Sequence, residues 1–347
     1  MGKLSEHLIF IISQPRSGST LLQHILGNHS QVHTLPEPWF MLNLVYGFRS
    51  SGLEAEYNAQ YAYLALKDFL GRIPEGEATY WKAARSMALS LYKQALEPSG
   101  KKYFLDKTPR YYFIIPELYH LFPEAKFVIL LRNPLAVLSS IIEVNFGGDW
   151  RALLQKDRKH DILTAPGLIL NGIRQLGEKA AVVHYEQLVT EPEQTVRNLC
   201  QQLGLQFETE MLNYGGKVKF EGTTFVDPKS IYKHQHPVGN YLGKWVTRLD
   251  TPQKFYIAKT YLTFVRKDPS ESLGYCYDDL INKLNSLTLK KSRNPYCVPW
   301  RLIVTPIEEL SWSDRFKLKF FIWLQLLQHR GIWAALRHCA NFALKKR

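Results

Sequence analysis

The sequence predicts an α/β protein with a central, mostly parallel sheet flanked by helices. Residues 8–12 (LIFII) and 126–131 (KFVILL) are short, nearly continuous apolar runs rich in branched side chains. Runs of that length suit strands covered on both faces, which is how parallel sheets are buried. Each run stops at a polar turn and gives way to apolar residues at helical spacing. Strand, turn and helix in alternation build a sheet with helices layered on its faces.

The first turn reads Ser13-Gln14-Pro15-Arg16-Ser17-Gly18-Ser19-Thr20, after which Leu21, Leu22, Ile25 and Leu26 recur at helical spacing. A tight polar loop with a glycine, opening a helix, converges backbone N–H groups and the positive end of the helix dipole on an anion. The Walker form of this loop places a lysine after its last glycine; here Ser19 follows Gly18. The string Gln14-Pro15-Arg16-Ser17-Gly18-Ser19-Thr20-Leu21-Leu22 resembles the 5′-phosphosulfate loop of sulfotransferases that use 3′-phosphoadenosine 5′-phosphosulfate (PAPS). The variant it resembles is that of protein-tyrosine sulfotransferases and related bacterial enzymes. The resemblance implies a P-loop-like three-layer sandwich, with donor contacts from Arg16, Ser17, Gly18, Ser19, Thr20 and Leu21. It also implies a general base at the glutamate after the first helix, which is Glu37 in Leu35-Pro36-Glu37-Pro38. Read without it, the loop is a turn and Glu37 a surface acid between two prolines.

Residues 57–70 and 80–96 show apolar spacing near the helical period, with Gly71-Arg72-Ile73-Pro74-Glu75-Gly76 as the loop between them. They form a helical insert over about 41–100, which the resemblance places beside the acceptor pocket. A brief strand then ends in Asp106-Lys107-Thr108-Pro109. That puts Asp106 and Lys107 at the carboxyl edge of the sheet, where open α/β sheets bind ligands. By resemblance Lys107 contacts the sulfuryl group; by itself, a lysine in a turn is ordinarily just solvated. Residues 114–122 read as a helix, and the strand at 126–131 runs into Arg132-Asn133-Pro134 and a helix over about 135–143. The family binds the donor's 3′-phosphate with an arginine and a serine at the spacing of Arg132 and Ser140. A guanidinium matches phosphate oxygens bidentately.

Gly148-Asp149-Trp150 is similar to a late motif of cytosolic sulfotransferases but comes too early in the chain, and is read as coincidence. Residues 181–188 form another strand leaving into a helix; its Tyr185 resembles a family tyrosine near the nucleotide, and His184 reads as a packed strand-end residue. Proline near its first turn opens a helix from 191 to 203. Residues 213–247 are loop-rich and resemble the family's late lid, in which Lys244 is carried over while Gly243 stands where the family has serine. His234 and His236 lack a third metal ligand in view. His29 and His33 fall in what reads as a turn, with a packing or surface role. Residues 251–267 read as a helix, and the resemblance ends near 278.

The formal charge is +13, and residues 286–347 hold twelve Lys/Arg against three Asp/Glu. The expected organisation is therefore a sulfotransferase domain over 1–285 and a basic, mostly helical extension over 286–347. Within it, 313–327 reads as a helix with Ser311 or Ser313 as N-cap and apolar residues on almost every side. Such a helix packs on the body, dimerises, or lies peripherally on an anionic membrane. The four cysteines show no C-x-x-C pairing, and no apolar stretch is long enough to span a bilayer. With a strand beginning a few residues from the start, the expected setting is the cytoplasm.

On the family's chemistry, Glu37 takes the acceptor proton while Arg16 and Lys107 stabilise the transferring group. The resemblance implies PAPS as donor, adenosine 3′,5′-bisphosphate as product and no metal. The acceptor is a hydroxyl or amine of a small molecule, glycan, lipid or peptide, and no nucleic acid partner is expected. Two other readings stay open: a P-loop kinase or NTPase, and a noncatalytic nucleotide- or nucleic-acid-binding protein using the basic tail.

Overall fold

The first apolar run becomes the middle of the sheet. In the computed structural model β1 (Leu8–Ser13) is buried along its whole length. The structure describes residues 2–146, 150–154, 156–215, 234–266, 273–290, 297–305 and 309–330. In chain order the elements are α1 (Gly2–Ser5), β1, α2 (Ser19–Gly27), β2 (Val32–Thr34), α3 (Phe40–Tyr46), α4 (Ala59–Leu70) and α5 (Glu77–Leu96). There follow β3 (Tyr103–Lys107), α6 (Ile115–Leu121), β4 (Lys126–Leu131), α7 (Pro134–Phe146), α8 (Lys156–Lys159), α9 (Ala165–Leu176) and β5 (Ala180–His184). The remaining helices are α10 (Tyr185–Thr190), α11 (Pro192–Leu203), α12 (Lys244–Arg248), α13 (Pro252–Arg266), α14 (Tyr277–Asn285), α15 (Trp300–Val304) and α16 (Trp312–Arg330).

The strands lie in the order β2-β3-β1-β4-β5, and every neighbouring pair is parallel. Ile11 is opposite Lys107 across β1 and β3, and Ser13 is opposite Leu130 across β1 and β4. Because all five strands run the same way, the residues that follow them gather along one edge of the sheet. The chain passes from β1 to one side for β2 and β3 and to the other for β4 and β5, so the strand order reverses beside β1. This is the P-loop-like sandwich that the sequence predicts.

One strand is absent from the sequence reading. Residues 32–34 were expected in a turn and instead form β2, which pairs with β3. Three residues carry too little periodicity to reveal a strand, and pairing supplies what pattern does not. His33 therefore lies in a strand, while buried His29 has its Nε2 2.9 Å from the Gln206 carbonyl.

The chain divides into two units, residues 1–133 with 165–241, and 134–164 with 242–347. In the first, Phe10 of β1 stacks on Phe127 of β4 at 5.6 Å and meets Tyr92, Tyr111 and Phe122 edge-on or tilted. In the second, Leu135 and Leu138 of α7 share a core with Trp245, Ile257, Tyr261, Leu302 and Leu318. The tail's last described helix, α16, belongs to that core through Leu318. Ser311 is its N-cap: its hydroxyl accepts from the Asp314 amide and donates to the Asp314 carboxylate. Among the described residues no helix is long and apolar enough to cross a membrane. Residues 147–149, which hold the Gly-Gly-Asp of the string ending at Trp150, lie outside the described residues, as does 216–233 of the expected lid.

Candidate active site

Each of the five strands delivers a predicted residue at its carboxyl end. The loop after β1 is held in an unusual backbone shape. Arg16 (φ 74°) and Gly18 (φ 96°) both adopt left-handed conformations. For a non-glycine residue that geometry is costly and persists only where surroundings enforce it. Arg132, just past β4, supplies one restraint: its Nη1 donates to the Arg16 carbonyl at 2.8 Å. Gly18 has a second reason to be glycine. A Cβ there would lie 2.5 Å from the ring of Tyr185, the first residue after β5. The Arg132 guanidinium in turn stacks over that ring, 4.1 Å from its centroid. Arg16, Gly18, Arg132 and Tyr185 therefore form one interlocked group. Burial pushes the Tyr185 hydroxyl above its ordinary value, against the pull of Arg132.

The start of α2 is built to receive an anion. Gly18 occupies the N-cap and, among the described residues, no side chain caps the helix, so its first amides lack an intrahelical or capping acceptor there. The Ser17 hydroxyl is buried with no hydrogen-bond partner among the described residues, which is costly unless a ligand completes it. Ser19 is buried and Thr20 partly so, both in the first turn, with Leu21 buried behind them.

Across this loop stands an ion pair. Lys107, at the end of β3, donates from Nζ to Glu37 Oε1 at 2.6 Å and lies 3.4 Å from the Thr20 hydroxyl. The lysine side chain is only 3% exposed and the glutamate 18%, so neither is the solvated surface charge that a turn lysine or an acid between prolines would ordinarily be. The other carboxylate oxygen, Oε2, accepts from the Trp39 indole at 2.9 Å. Gln23 fastens the approach to Glu37 from behind, its Nε2 donating to the Thr34 hydroxyl and the Leu35 carbonyl at 2.8 and 2.9 Å.

The supporting roles of three residues escaped the sequence reading, although Asp106 itself was expected at the sheet edge. Trp39 is two residues beyond Glu37 and Gln23 is interior to α2, and only the fold shows what either one touches. The third is Asp106, whose carboxylate accepts from the hydroxyls of Tyr92 (2.7 Å), Thr108 (2.9 Å) and Tyr111 (3.0 Å). Successive strand residues face opposite sides, so Asp106 ties α5 and the turn after β3 to the sheet behind Lys107. Burial pushes its carboxyl up to about 6, although all three hydroxyls favour the ionised form.

The second unit holds two further expected contacts. Ser140 is buried on α7, and Lys244 begins α12, which packs on α7. Gly243 is the N-cap of α12 at φ 69°, a conformation that favours glycine over the serine of the family pattern. In the first unit, His234 meets Tyr241 edge-on and His236 Nδ1 lies 3.3 Å from the Leu212 carbonyl. No three His, Cys, Asp or Glu residues converge as a metal site among the described residues.

Comparison with known proteins identifies the family to which the chain is similar. The profile of the sulfotransferase family matches residues 9–209. The nodulation protein NoeE of Sinorhizobium fredii is 38% identical over 134 residues, which is 39% of this chain and 30% of NoeE. The chain spans 36% and 31% of two other curated relatives, so it corresponds to only part of those proteins. The zebrafish (Danio rerio) protein-tyrosine sulfotransferase 1 is 25% identical over 300 residues, 82% of this chain and 79% of that one. Among solved structures, the sulfotransferase domain of the Synechococcus PCC 7002 olefin synthase superposes with a TM-score of 0.52 at 26% identity. The match covers 78% of this chain and 94% of that domain.

Proposed function

Because the chain belongs to the sulfotransferase family, we propose that it moves a sulfuryl group from PAPS to a hydroxyl or amine acceptor, with Glu37 as general base. The observation that carries this reading is the Lys107–Glu37 pair set against the Thr20 hydroxyl at the mouth of an anion-receiving loop. Ser17, whose hydroxyl has no partner among the described residues, and the first amides of α2 suit the donor's 5′-phosphate. Gly18 leaves the close backbone approach that a phosphate needs. Arg132 is assigned the 3′-phosphate, with Ser140 as its hydroxyl partner and Tyr185 and Lys244 as further nucleotide contacts.

In the proposed reaction the acceptor oxygen or nitrogen forms a bond to sulfur as the sulfur–oxygen bond to the 5′-phosphate breaks. The electron pair leaves on the phosphate oxygen, where Arg16 and Lys107 offset the developing charge. Glu37 takes the acceptor proton. Its second oxygen is already engaged by Trp39, so the carboxylate is oriented before the acceptor arrives. Positive side chains supply the electrostatic role, and no metal is assigned. The acceptor class is a hydroxyl-bearing glycan, lipid, peptide or small metabolite. The zebrafish relative is named for protein tyrosine, which makes a tyrosyl peptide the first acceptor to assay.

Calorimetry with adenosine 3′,5′-bisphosphate tests the donor assignment. Binding by the wild-type protein, lost in Arg132→Ala and unmatched by ADP with Mg²⁺, is the expected result. Equal or tighter binding of Mg·ADP would overturn the reading in favour of a kinase or NTPase, which the missing lysine after Gly18 disfavours.

A further inference from the structure

Helix α16 buries one side and leaves the opposite side uncovered by any described residue. Asp314 and Leu318 face inward, and Phe321 and Ile322 pack against the second unit's core. On the other side Trp312, Phe316 and Phe320 are 82%, 61% and 48% exposed. With Trp323 they occupy the i, i+4, i+8 and i+11 positions of one helical face. Their rings are stacked in pairs, Trp312 on Phe316 at 6.1 Å and Phe320 on Trp323 at 6.2 Å. Exposed Arg315, Lys317 and Lys319 border the stripe. The one acid of α16, Asp314, is turned away from it and held by Arg301 at 2.6 Å and by Ser311.

We propose that this aromatic face is a docking surface for an anionic lipid bilayer, on which α16 lies in the plane of the interface. Aromatic rings suit the boundary between headgroups and acyl chains, and flanking cations suit anionic headgroups. Charge decides against a second copy of the chain. A two-fold contact sets the same patch against itself, so Arg315, Lys317 and Lys319 would meet their own kind, and like charges disfavour the contact. The surrounding sequence adds to the positive field, with twelve Lys/Arg against three Asp/Glu over residues 286–347. The inference is independent of the sulfuryl-transfer reading.

Sedimentation of the full chain with vesicles tests it. Wild-type protein should pellet with phosphatidylcholine vesicles containing phosphatidylglycerol and should do so much less with phosphatidylcholine alone. Trp312→Ser/Phe316→Ser/Phe320→Ser should lower partitioning by roughly tenfold or more. Arg315→Gln/Lys317→Gln/Lys319→Gln should lower it by about fivefold or more, with most of the remaining salt dependence lost. Circular dichroism checks the folding of each variant. The single change Trp312→Phe keeps the test sharp: tryptophan quenching by brominated lipid should fall while vesicle binding persists. Four outcomes would overturn the proposal: no vesicle binding, equal binding to neutral vesicles, binding indifferent to the aromatic changes, or a dimer that those changes abolish.

Discussion

Lys107 and Glu37 lie 70 residues apart in the chain, and their side chains meet at 2.6 Å beside the loop that opens α2. The pair is nearly buried, and breaking such a pair from one side leaves an uncompensated charge. Its proposed chemical role and its structural role can therefore be separated by substitution.

Glu37→Gln should lower kcat by about 10²–10⁴-fold while the product nucleotide still binds, because Glu37 is assigned to the acceptor and not to the donor. The same change should lower the melting temperature, since Lys107 loses its anion. The double variant Glu37→Gln/Lys107→Met should regain part of that stability and none of the activity. Thermal melts and single-turnover assays, run side by side, check both statements.

At the loop, two small changes should act in opposite senses on stability. Gly18→Ala forces a side chain into a left-handed backbone and against the Tyr185 ring, and should cost on the order of 1–3 kcal/mol from backbone strain alone. Ser17→Ala removes a buried hydroxyl that has no partner among the described residues, so the ligand-free protein should be unchanged or more stable by up to about 1 kcal/mol. Both should bind adenosine 3′,5′-bisphosphate more weakly. Denaturant titration and calorimetry read the two effects.

Arg132→Lys keeps the charge but loses the planar group that stacks on Tyr185 and reaches the Arg16 carbonyl. Affinity for the bisphosphate should fall by roughly tenfold, while adenosine 5′-phosphate, which lacks the 3′-phosphate, should be affected less. Competition binding with the two nucleotides measures the difference.

Asp106 should give the stability curve a recognisable slope. Burial raises its folded pKa to about 6 from 3.8, so between those values the folded chain retains a proton that the unfolded chain releases. This group's contribution is fully present below about pH 4 and is lost as pH rises through about 6, a change on the order of 3 kcal/mol. Glu124 and Glu208, whose folded pKa values are lowered, slope the opposite way, so the diagnostic quantity is wild type minus Asp106→Asn. Unfolding free energies at pH 4.5 and 7 should show the wild type losing more than the variant across that interval.

Much of the sheet was legible because burial on both faces leaves a plain mark. The runs at 8–12 and 126–131 appear as strands β1 and β4 within a residue or two, and the run at 181–188 divides into β5, ending at His184, and the start of α10. Helices α4, α5, α7, α11 and α13 match the expected helices to within three residues at either end. β2 was not legible, since three residues cannot show a period and its order comes from pairing with β3. Trp39 and Gln23 gave no local sign of their roles, because each acts on a group that the fold brings to it.

The sequence by itself determined the strand–loop–helix at residues 8–27, the missing lysine after Gly18, and which residue types stand at the strand ends. These are local matters, set by side chains a few positions apart. Only the tertiary structure decided that Lys107 faces Glu37, that Gly18 lies against Tyr185, that Arg132 braces the Arg16 carbonyl, and that Asp106 is closed in by three hydroxyls. A strand buried on both faces is apolar on both, so its sequence carries no record of which neighbour it pairs with or which side each residue faces. Strand order and register supply that information, and they exist only once the sheet has formed.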